Sequence, residues 1–425
     1  MKLSIIGSGG REYAIAQKLL ADNPQLELHI LPGNAAMEDF AYIHPEITAE
    51  DITGVREFCQ KEKIDFCVVT PDNPLVLGMV DALEEVGIPC FGPRRAGAML
   101  EGSKSFAKEF MMRHGIPTAK YQHFTDFSAA LEYARNSSYP LVIKADGLAL
   151  GKGVAIPDSF TAAEEVLRDF MLGQKFGESS RQVVIEEYLT GPEISVLSFC
   201  DGKTIKPLVS SMDHKRIYDG DKGPNTGGMG VIAPNPVFST AVAQEFQEKI
   251  MLPTLAGLQA EHIDFRGCLY FGLMLTASGL KVIEYNARFG DPETQVVLPL
   301  LRGNLLEIFQ AVARGELEKV KVESTAQHAA CVVMAAAGYP GPVEKGQEIT
   351  YPPEILPYLV FAGVKRSAAG TLLSNGGRVI NVLGYGDSLT AALNKAYENV
   401  EKVKFGSCQF RRDIGKRALE IEAGK

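Results

Sequence analysis

The chain is 425 residues long, which at ~100–200 residues per domain predicts two to four domains and excludes a single core. It is 46% hydrophobic and 22% charged, with 42 glycines and 23 prolines, a composition that fits a soluble, loop-rich folded protein and excludes a disordered or fibrous one. A formal charge of -9 with no basic block argues against a nucleic-acid partner, and seven cysteines without a C-x-x-C pair argue against a disulfide framework or thiolate metal cluster, as in a reducing, cytoplasmic compartment.

Residues 2–6 (KLSII) form an apolar run that stops at Gly7-Ser-Gly-Gly10, followed by apolar side chains at 14, 15, 19 and 20. That is the pattern of strand, glycine turn and helix, not of a leader peptide. Strands are predicted at 28–31 and 64–70, the second ending in Pro71-Asp72-Asn73-Pro74, then a helix over 75–86 and a strand near 88–91. Such alternation predicts an open parallel α/β sheet with its ligands beyond the C-terminal strand ends. Ser103 is a predicted cap for a helix reaching Arg113. Beyond about 115 the predicted elements are a strand at 139–144, a glycine loop to Gly153, a helix over 161–172, a strand at 182–187 and a hairpin of 193–200 with 204–210. A flexible polar loop over 213–230, a long helix over 239–261 and strands at 267–276 and 280–286 come next. Residues 326–425 read as a small mixed domain, with strands near 329–335 and 378–384 and a helix near 387–402. No stretch of about eighteen apolar residues suggests a membrane span.

Several clusters carry possible chemistry. Gly7-Ser-Gly-Gly-Arg-Glu12 begins like a dinucleotide fingerprint, but Glu12 stands where a third glycine is needed. The loop still offers amides and a helix N-terminus to a phosphate, with a plain tight turn as the alternative. Lys144 at a strand end and Gly147, Gly151, Lys152 and Gly153 beyond it suit a flexible cover over polyphosphate, although the spacing is not that of a P-loop. Glu186, Glu187 and Glu193 flank a Gly191-Pro192 turn and read either as acceptors for an amine and ribose hydroxyls or as a solvated acidic strand end. Asp213-His-Lys-Arg216 and Gly223 to Gly230 form a polar loop able to order over a small anion, with Lys215 and Arg216 as counter-charges and a catalytic base at His214 weighed against a structural histidine. Glu284 and Asn286, at i and i+2 of one strand, share a face. They are hard oxygen donors suited to Mg²⁺, with Arg288 beyond them for a carboxylate or a transferred phosphoryl group. A buried polar network is the alternative.

These segments, with Leu100-Glu-Gly-Ser-Lys104, Ile116-Pro-Thr-Ala119, Ala335 to Gly341, Ser374 to Arg378 and Arg411-Arg-Asp-Ile-Gly415, run in one order across nearly the whole chain. In that order they resemble the ATP-grasp superfamily, and within it the phosphoribosylamine–glycine ligase family. The resemblance implies an α/β and α+β multidomain protein: an open parallel α/β sheet domain (1–102), a connecting helix and linker (103–122), an ATP-grasp lid (123–192), a central catalytic subdomain (193–325) and a small mixed C-terminal domain (326–425). It implies ligation of glycine to 5-phosphoribosylamine through glycyl phosphate in purine synthesis, with ATP as co-substrate, Mg²⁺ (or Mn²⁺) as metal, small molecules as partners and a monomer or weak homodimer as assembly.

By the same resemblance Lys104, Lys144, Gly151, Lys152 and Gly153 would contact ATP phosphates. Glu186, with Glu187, Tyr188 and Leu189 around it, would take the adenine, Glu193 the ribose, and Glu284 and Asn286 the metal. Arg288, Lys215 and Asp213 would be catalytic. Gly9, Gly10, Arg11, Glu12, Asp72, Asn73 and Pro74 would hold the ribosylamine phosphate, and Asn225, Thr226, Gly227, Gly290, Asp291 and Glu293 the substrates at the junction. Tyr13 and Asp72 depart from the family's usual His and Glu. The competing readings are another ATP-grasp carboxylate–amine ligase or bicarbonate-using carboxylase with a related ribonucleotide substrate, and a non-catalytic nucleotide-binding regulator; the carboxylases would lack the 213–230 arrangement, and the regulator would be expected to lose Glu284, Asn286 or Arg288.

Overall fold

The computed structural model describes residues 1–149, 153–173, 177 and 181–424. Its first sheet is parallel, in the order Tyr42–Ile43, Glu27–Pro32, Lys2–Gly7, Phe66–Val69, Cys90–Phe91. Helices cover both faces, so its central strands are continuously apolar, with Leu3, Ile5, Ile6 and Val68 fully buried. Strand order reverses at Lys2–Gly7, and the glycine turn and the 70–74 loop both leave the sheet beside that switch point.

The helix expected over 75–86 is two helices, Asp72–Leu77 and Met79–Glu84, because Gly78 between them has φ 92°, a conformation side-chain-bearing residues rarely adopt. A further helix, Arg95–Gly102, precedes the expected Lys104–Arg113, whose cap is Ser103: its Oγ accepts the Phe106 N–H at 3.1 Å.

Tyr121–Phe124, Val183–Glu187, Leu141–Ala145 and Val154–Ala155 form an antiparallel sheet with its own core, containing Phe124, Ile143, Leu167, Phe170 and Ile185. A third sheet orders Ile205–Pro207, Glu193–Cys200, Gly267–Thr276 and Gly279–Asn286, also antiparallel. In its last strand Val282 pairs with Leu273 but Glu284 pairs with Gly272, which leaves Ile283 as a β-bulge. The additional residue reverses the alternation: Leu280 and Val282 face the apolar core, while Glu284 and Asn286 face the opposite side.

The fourth sheet joins segments far apart in sequence: Met212–Asp213, Gly230–Ala233, His328–Ala335, Arg378–Gly386 and Leu359–Phe361, with helix Leu389–Val400 packed on it. It thus draws strands from both sides of residue 326. The loop expected over 213–230 is instead an antiparallel ribbon, Arg216–Tyr218 with Lys222–Asn225. It is tied down by Arg411, which is 1% exposed and donates to both carboxylate oxygens of Asp413, to Asp221 Oδ1 at 2.7 Å and to the Arg216 carbonyl at 3.2 Å. The long helix expected over 239–261 is Thr240–Phe246, a π-helical turn Gln247–Met251, and Leu252–Ala260. Among the described residues no helix is long and apolar enough to cross a membrane.

Candidate active site

The sheets meet around one cavity of about 1060 Å³. Lys144 and Glu284 both face it, as do Lys104, Arg288, Glu186, Glu193, Asp213 and Lys215. The first lysine ends strand Leu141–Ala145 and the second opens helix Lys104–Arg113, so backbone elements, not loops, aim both ammonium groups. Lys104 Nζ donates to the Gly147 carbonyl at 2.9 Å. Burial pulls its proton affinity below the usual lysine value, against the opposing pull of Glu284.

Among the described residues the Glu284 carboxylate has neither a hydrogen bond nor an ion pair. Burial raises its proton affinity, but Lys215, Lys144, Lys104 and Arg288 together outweigh burial and hold its pKa below the ordinary carboxylate value. An unpartnered anion ringed by four cations is a seat for a cation or for a group that brings one. Among the described residues Asn286 Oδ1, on the same face, accepts only from Arg288 Nη2 at 3.2 Å. Arg288 is also paired with Glu101 at 2.7 Å, and its Nε is buried without a partner. Burial opposes its charge; Glu101, Asp72 and Glu293 more than restore it.

Across the cavity Lys215 Nζ meets Glu193 Oε2 at 2.8 Å, and Glu193 first, before burial acts against it, lifts the lysine well above its normal pKa. Asp213 Oδ1 accepts the His214 N–H at 2.7 Å; burial and then Glu293 push its pKa well up. Tyr270 donates to Glu293 Oε1 at 2.8 Å.

Three family models cover most of the chain: the N domain of phosphoribosylglycinamide synthetase matches residues 1–101, its ATP-grasp (A) domain 102–294 and its C domain 329–417. A phosphoribosylamine–glycine ligase of Allochromatium vinosum is 45% identical over 427 residues, covering 99% of this chain and 100% of the relative. The chain belongs to the phosphoribosylamine–glycine ligase family. Another member, from Clostridium acetobutylicum, is 45% identical over 98% of the chain, and the crystal structure of the Thermotoga maritima member superposes with TM-score 0.85 at 37% identity, covering 97% of this chain and all of that one. At 16% identity, the biotin carboxylase domain of a Hydrogenobacter thermophilus 2-oxoglutarate carboxylase, determined with MgADP and bicarbonate, shares the fold with TM-score 0.73.

Within this ligase-family fold the expected Gly153, Glu187, Tyr188, Leu189, Asn225, Thr226, Gly227, Asp291, Glu293, Arg11 and Asp72 also line the cavity. Gly151 and Lys152 lie outside the described residues. Gly9, Gly10, Glu12, Asn73, Pro74 and Gly290 do not line it. The Glu12 carboxylate is consumed inside the glycine turn, accepting from the Gly9 N–H at 2.6 Å, Thr70 Oγ1 at 2.6 Å and Arg11 Nε at 2.6 Å. A direct phosphate contact from Glu12, or from the Gly9 amide it occupies, is therefore corrected to a scaffolding role. Asn73 Nδ2 donates outward to Glu50, and the proline nitrogen of buried Pro74 offers no donor. Glu186, expected at the adenine amine, has Lys144 Nζ 2.9 Å from Oε1 and Lys108 Nζ 3.0 Å from Oε2. Burial raises its proton affinity, and the two lysines more than reverse that. Oε1 is buried and meets Lys144 without a well-formed hydrogen bond.

Glu101, Lys108, Tyr270 and Arg378 line the cavity without having been anticipated. Lys108 follows Lys104 by one helical turn, and that i,i+4 spacing was its available signal. Arg378 reaches the site only through the C-terminal sheet, donating to the carbonyl of Gly227 at 2.7 Å.

His214 is structural. Its Nδ1–H donates to the Gly230 carbonyl at 3.1 Å and its Nε2 accepts the Gly415 N–H at 3.1 Å, so a neutral ring satisfies both partners. Burial first, then Arg411, lowers its pKa from 6.5 to about 4. Between those values the unfolded chain binds the additional proton, so the stability from this group is complete above pH 6.5 and is lost as pH falls toward 4. His214→Gln is expected to flatten the acid limb of the stability profile by about 3 kcal/mol between pH 7 and 4. Urea unfolding across that range checks this; an unaltered acid limb refutes it.

Proposed function

We propose that the chain joins glycine to 5-phosphoribosylamine, as its relatives' name describes, with conversion of ATP to ADP and phosphate. One observation carries the reading: Lys104, Lys144, Glu284 and Arg288 converge on a single cavity, where polyphosphate, metal and a small carboxylate can be held together. A glycine carboxylate oxygen attacks the γ-phosphorus and ADP leaves. The ribosylamine nitrogen then attacks the acyl carbon, the C–O bond to the phosphoryl group breaks, and phosphate departs. Such transfer depends on positioning and charge more than on a strong base.

In this reading Lys104 and Lys144 neutralise the phosphates, with Gly151, Lys152 and Gly153 as the cover. Glu186 to Leu189 receive the base and Glu193 the ribose. Arg288 orients the glycine carboxylate through its open donor. Asp213, whose proton affinity burial and Glu293 raise, takes the proton lost by the amine, while Lys215, Asn225, Thr226, Gly227, Asp291 and Glu293 hold the substrates. Arg11 and Asp72 approach the ribosylamine from the first sheet.

Glu284 and Asn286 fit Mg²⁺. Among the described residues no cluster of three or more His, Cys, Asp or Glu could hold a metal, and two oxygen donors suit an ion that keeps its other positions for water and substrate phosphates. Bound there, it would draw negative charge away from the phosphoryl oxygens. The sheet built on Val183–Glu187 has its own core, so it can close as a unit and exclude water that would hydrolyse the acyl phosphate.

ADP release from the purified protein, with ATP, magnesium and pairs of carboxylates and amines, tests the reading. Turnover is expected only when glycine and freshly made phosphoribosylamine are both present. Strong turnover with bicarbonate and no glycine would favour the carboxylase alternative.

A further inference from the structure

Lys108 takes no part in the chemistry above, yet it is 2% exposed beside the cavity. Its Nζ lies 3.0 Å from Glu186 Oε2 and donates to Thr118 Oγ1 at 2.8 Å; Thr118 in turn donates to the Val282 carbonyl at 2.7 Å. The other Glu186 oxygen faces Lys144 Nζ at 2.9 Å, and Lys144 also donates to the Ile283 carbonyl at 3.2 Å. One buried carboxylate thus sits between two buried ammonium groups, each carried by a different element: helix Lys104–Arg113, strand Val183–Glu187 and strand Leu141–Ala145.

We propose that Lys108 is a positioning residue, the standing counter-ion of Glu186, which frees Lys144 to turn from that carboxylate to the phosphates of the nucleotide. The inference rests on Lys144 as a phosphate ligand. Its physical basis is the asymmetry of buried ion pairs: removing one partner leaves an uncompensated charge in a medium that solvates it poorly. With both lysines present, Lys144 can leave and Glu186 stays paired. Without Lys108, Lys144 is the only partner of Glu186 among the described residues, and each phosphate contact it makes strands the carboxylate. Lys108 is anchored by the Thr118 hydroxyl, itself tied to a strand carbonyl, so it stays as Lys144 moves. Burial lowers the Lys108 pKa to about 8, against the pull of Glu186, which leaves it mostly charged at neutral pH.

The test titrates the full-length protein with ATP and with adenosine, which lacks the phosphates. Lys108→Met is expected to weaken ATP by ~10- to 100-fold while adenosine changes by less than ~3-fold. The double variant Lys108→Met with Glu186→Gln, which neutralises the competing carboxylate, should recover ATP affinity by ~5-fold or more over the single one. Equal weakening of ATP and adenosine, unaltered ATP binding, or a double variant no better than the single one would overturn the proposal.

If thermal melts show that Lys108→Met does not fold, Lys108→Arg reads the same quantity. It keeps the cation and should hold ATP within ~3-fold; an ATP-selective loss as large as that of Lys144→Met would overturn the proposal. Lys144→Met also separates the two layers: wild-type ATP affinity in it removes the phosphate role of Lys144 and this inference together, whereas a loss there with none in Lys108→Met removes the inference alone.

Discussion

Glu284→Gln is expected to slow ligation by on the order of 100- to 1000-fold and to raise the magnesium concentration needed for half-maximal rate, while the chain stays folded. The carboxylate is the cavity's unpartnered anion among the described residues, and its charge is maintained against burial by Lys215, Lys144, Lys104 and Arg288. Glutamine keeps the shape and one carbonyl oxygen but removes the charge that would hold a divalent ion. No hydrogen-bonded ion pair is broken, so the chain should stay folded, with stability lowered modestly because the surrounding cations lose the anion they hold ionised against burial. Rates measured over a magnesium series, with a thermal melt, decide it. A magnesium requirement equal to that of the wild type would remove Glu284 as a ligand. Asn286→Ala should act in the same direction with a smaller effect, since its oxygen is neutral and already accepts from Arg288.

Arg288→Met is expected to lower kcat/KM for glycine by on the order of 100- to 1000-fold and, unlike the glutamate change, to destabilise the fold. Two roles meet in this side chain. Its Nη2 pairs with Glu101 at 2.7 Å, and Glu101 Oε2 accepts the Ala287 N–H at 2.8 Å, which fixes the guanidinium and the turn after strand Gly279–Asn286. Its Nε is buried and unpartnered, an open donor where a substrate carboxylate would sit. Burial already raises the Glu101 pKa, with Arg288 opposing it, so loss of the arginine strands a carboxylate at ~3–5 kcal/mol. Adding Glu101→Gln should restore most of that stability and none of the activity. Recovery of activity along with stability would show that Arg288 acts only by holding the fold. Arg288→Lys keeps the charge but not the planar fork, and should remain impaired.

The longer strands, several helices and the order of the site motifs are legible because each depends on chemistry within a few residues. The apolar run of 2–6 predicts the central strand Lys2–Gly7, Ser103 predicts its cap, and Lys144 at a strand end predicts an ammonium group at a cavity wall. Asp72 and Tyr13, both expected near the ribosylamine, separate in space: Asp72 lines the cavity, whereas Tyr13 is 3% exposed and packs edge-on against Phe40 and Phe361. Burial pushes the Tyr13 hydroxyl pKa up, so it stays neutral within that packing. The polar residues of 216–225 predict a flexible loop, yet residues 409–415, far along the chain, hold the ribbon with Arg411 and Asp413.

Period-two alternation along 279–286 would put Glu284 on the same face as Leu280 and Val282, inside the apolar core. A bulge at Ile283 turns it to the cavity. Nothing local to that strand announces the bulge, since it arises from pairing with Gly267–Thr276, where Gly272 stands opposite Glu284. Composition and short-range pattern were enough to say that carboxylate, amide and guanidinium belong together. Which way they point, that Glu186 is shared by Lys144 and Lys108, and that a C-terminal arginine, Arg378, reaches the same cavity were decided only when distant strands paired, because facing and burial are properties of partners that lie outside any local window of the chain.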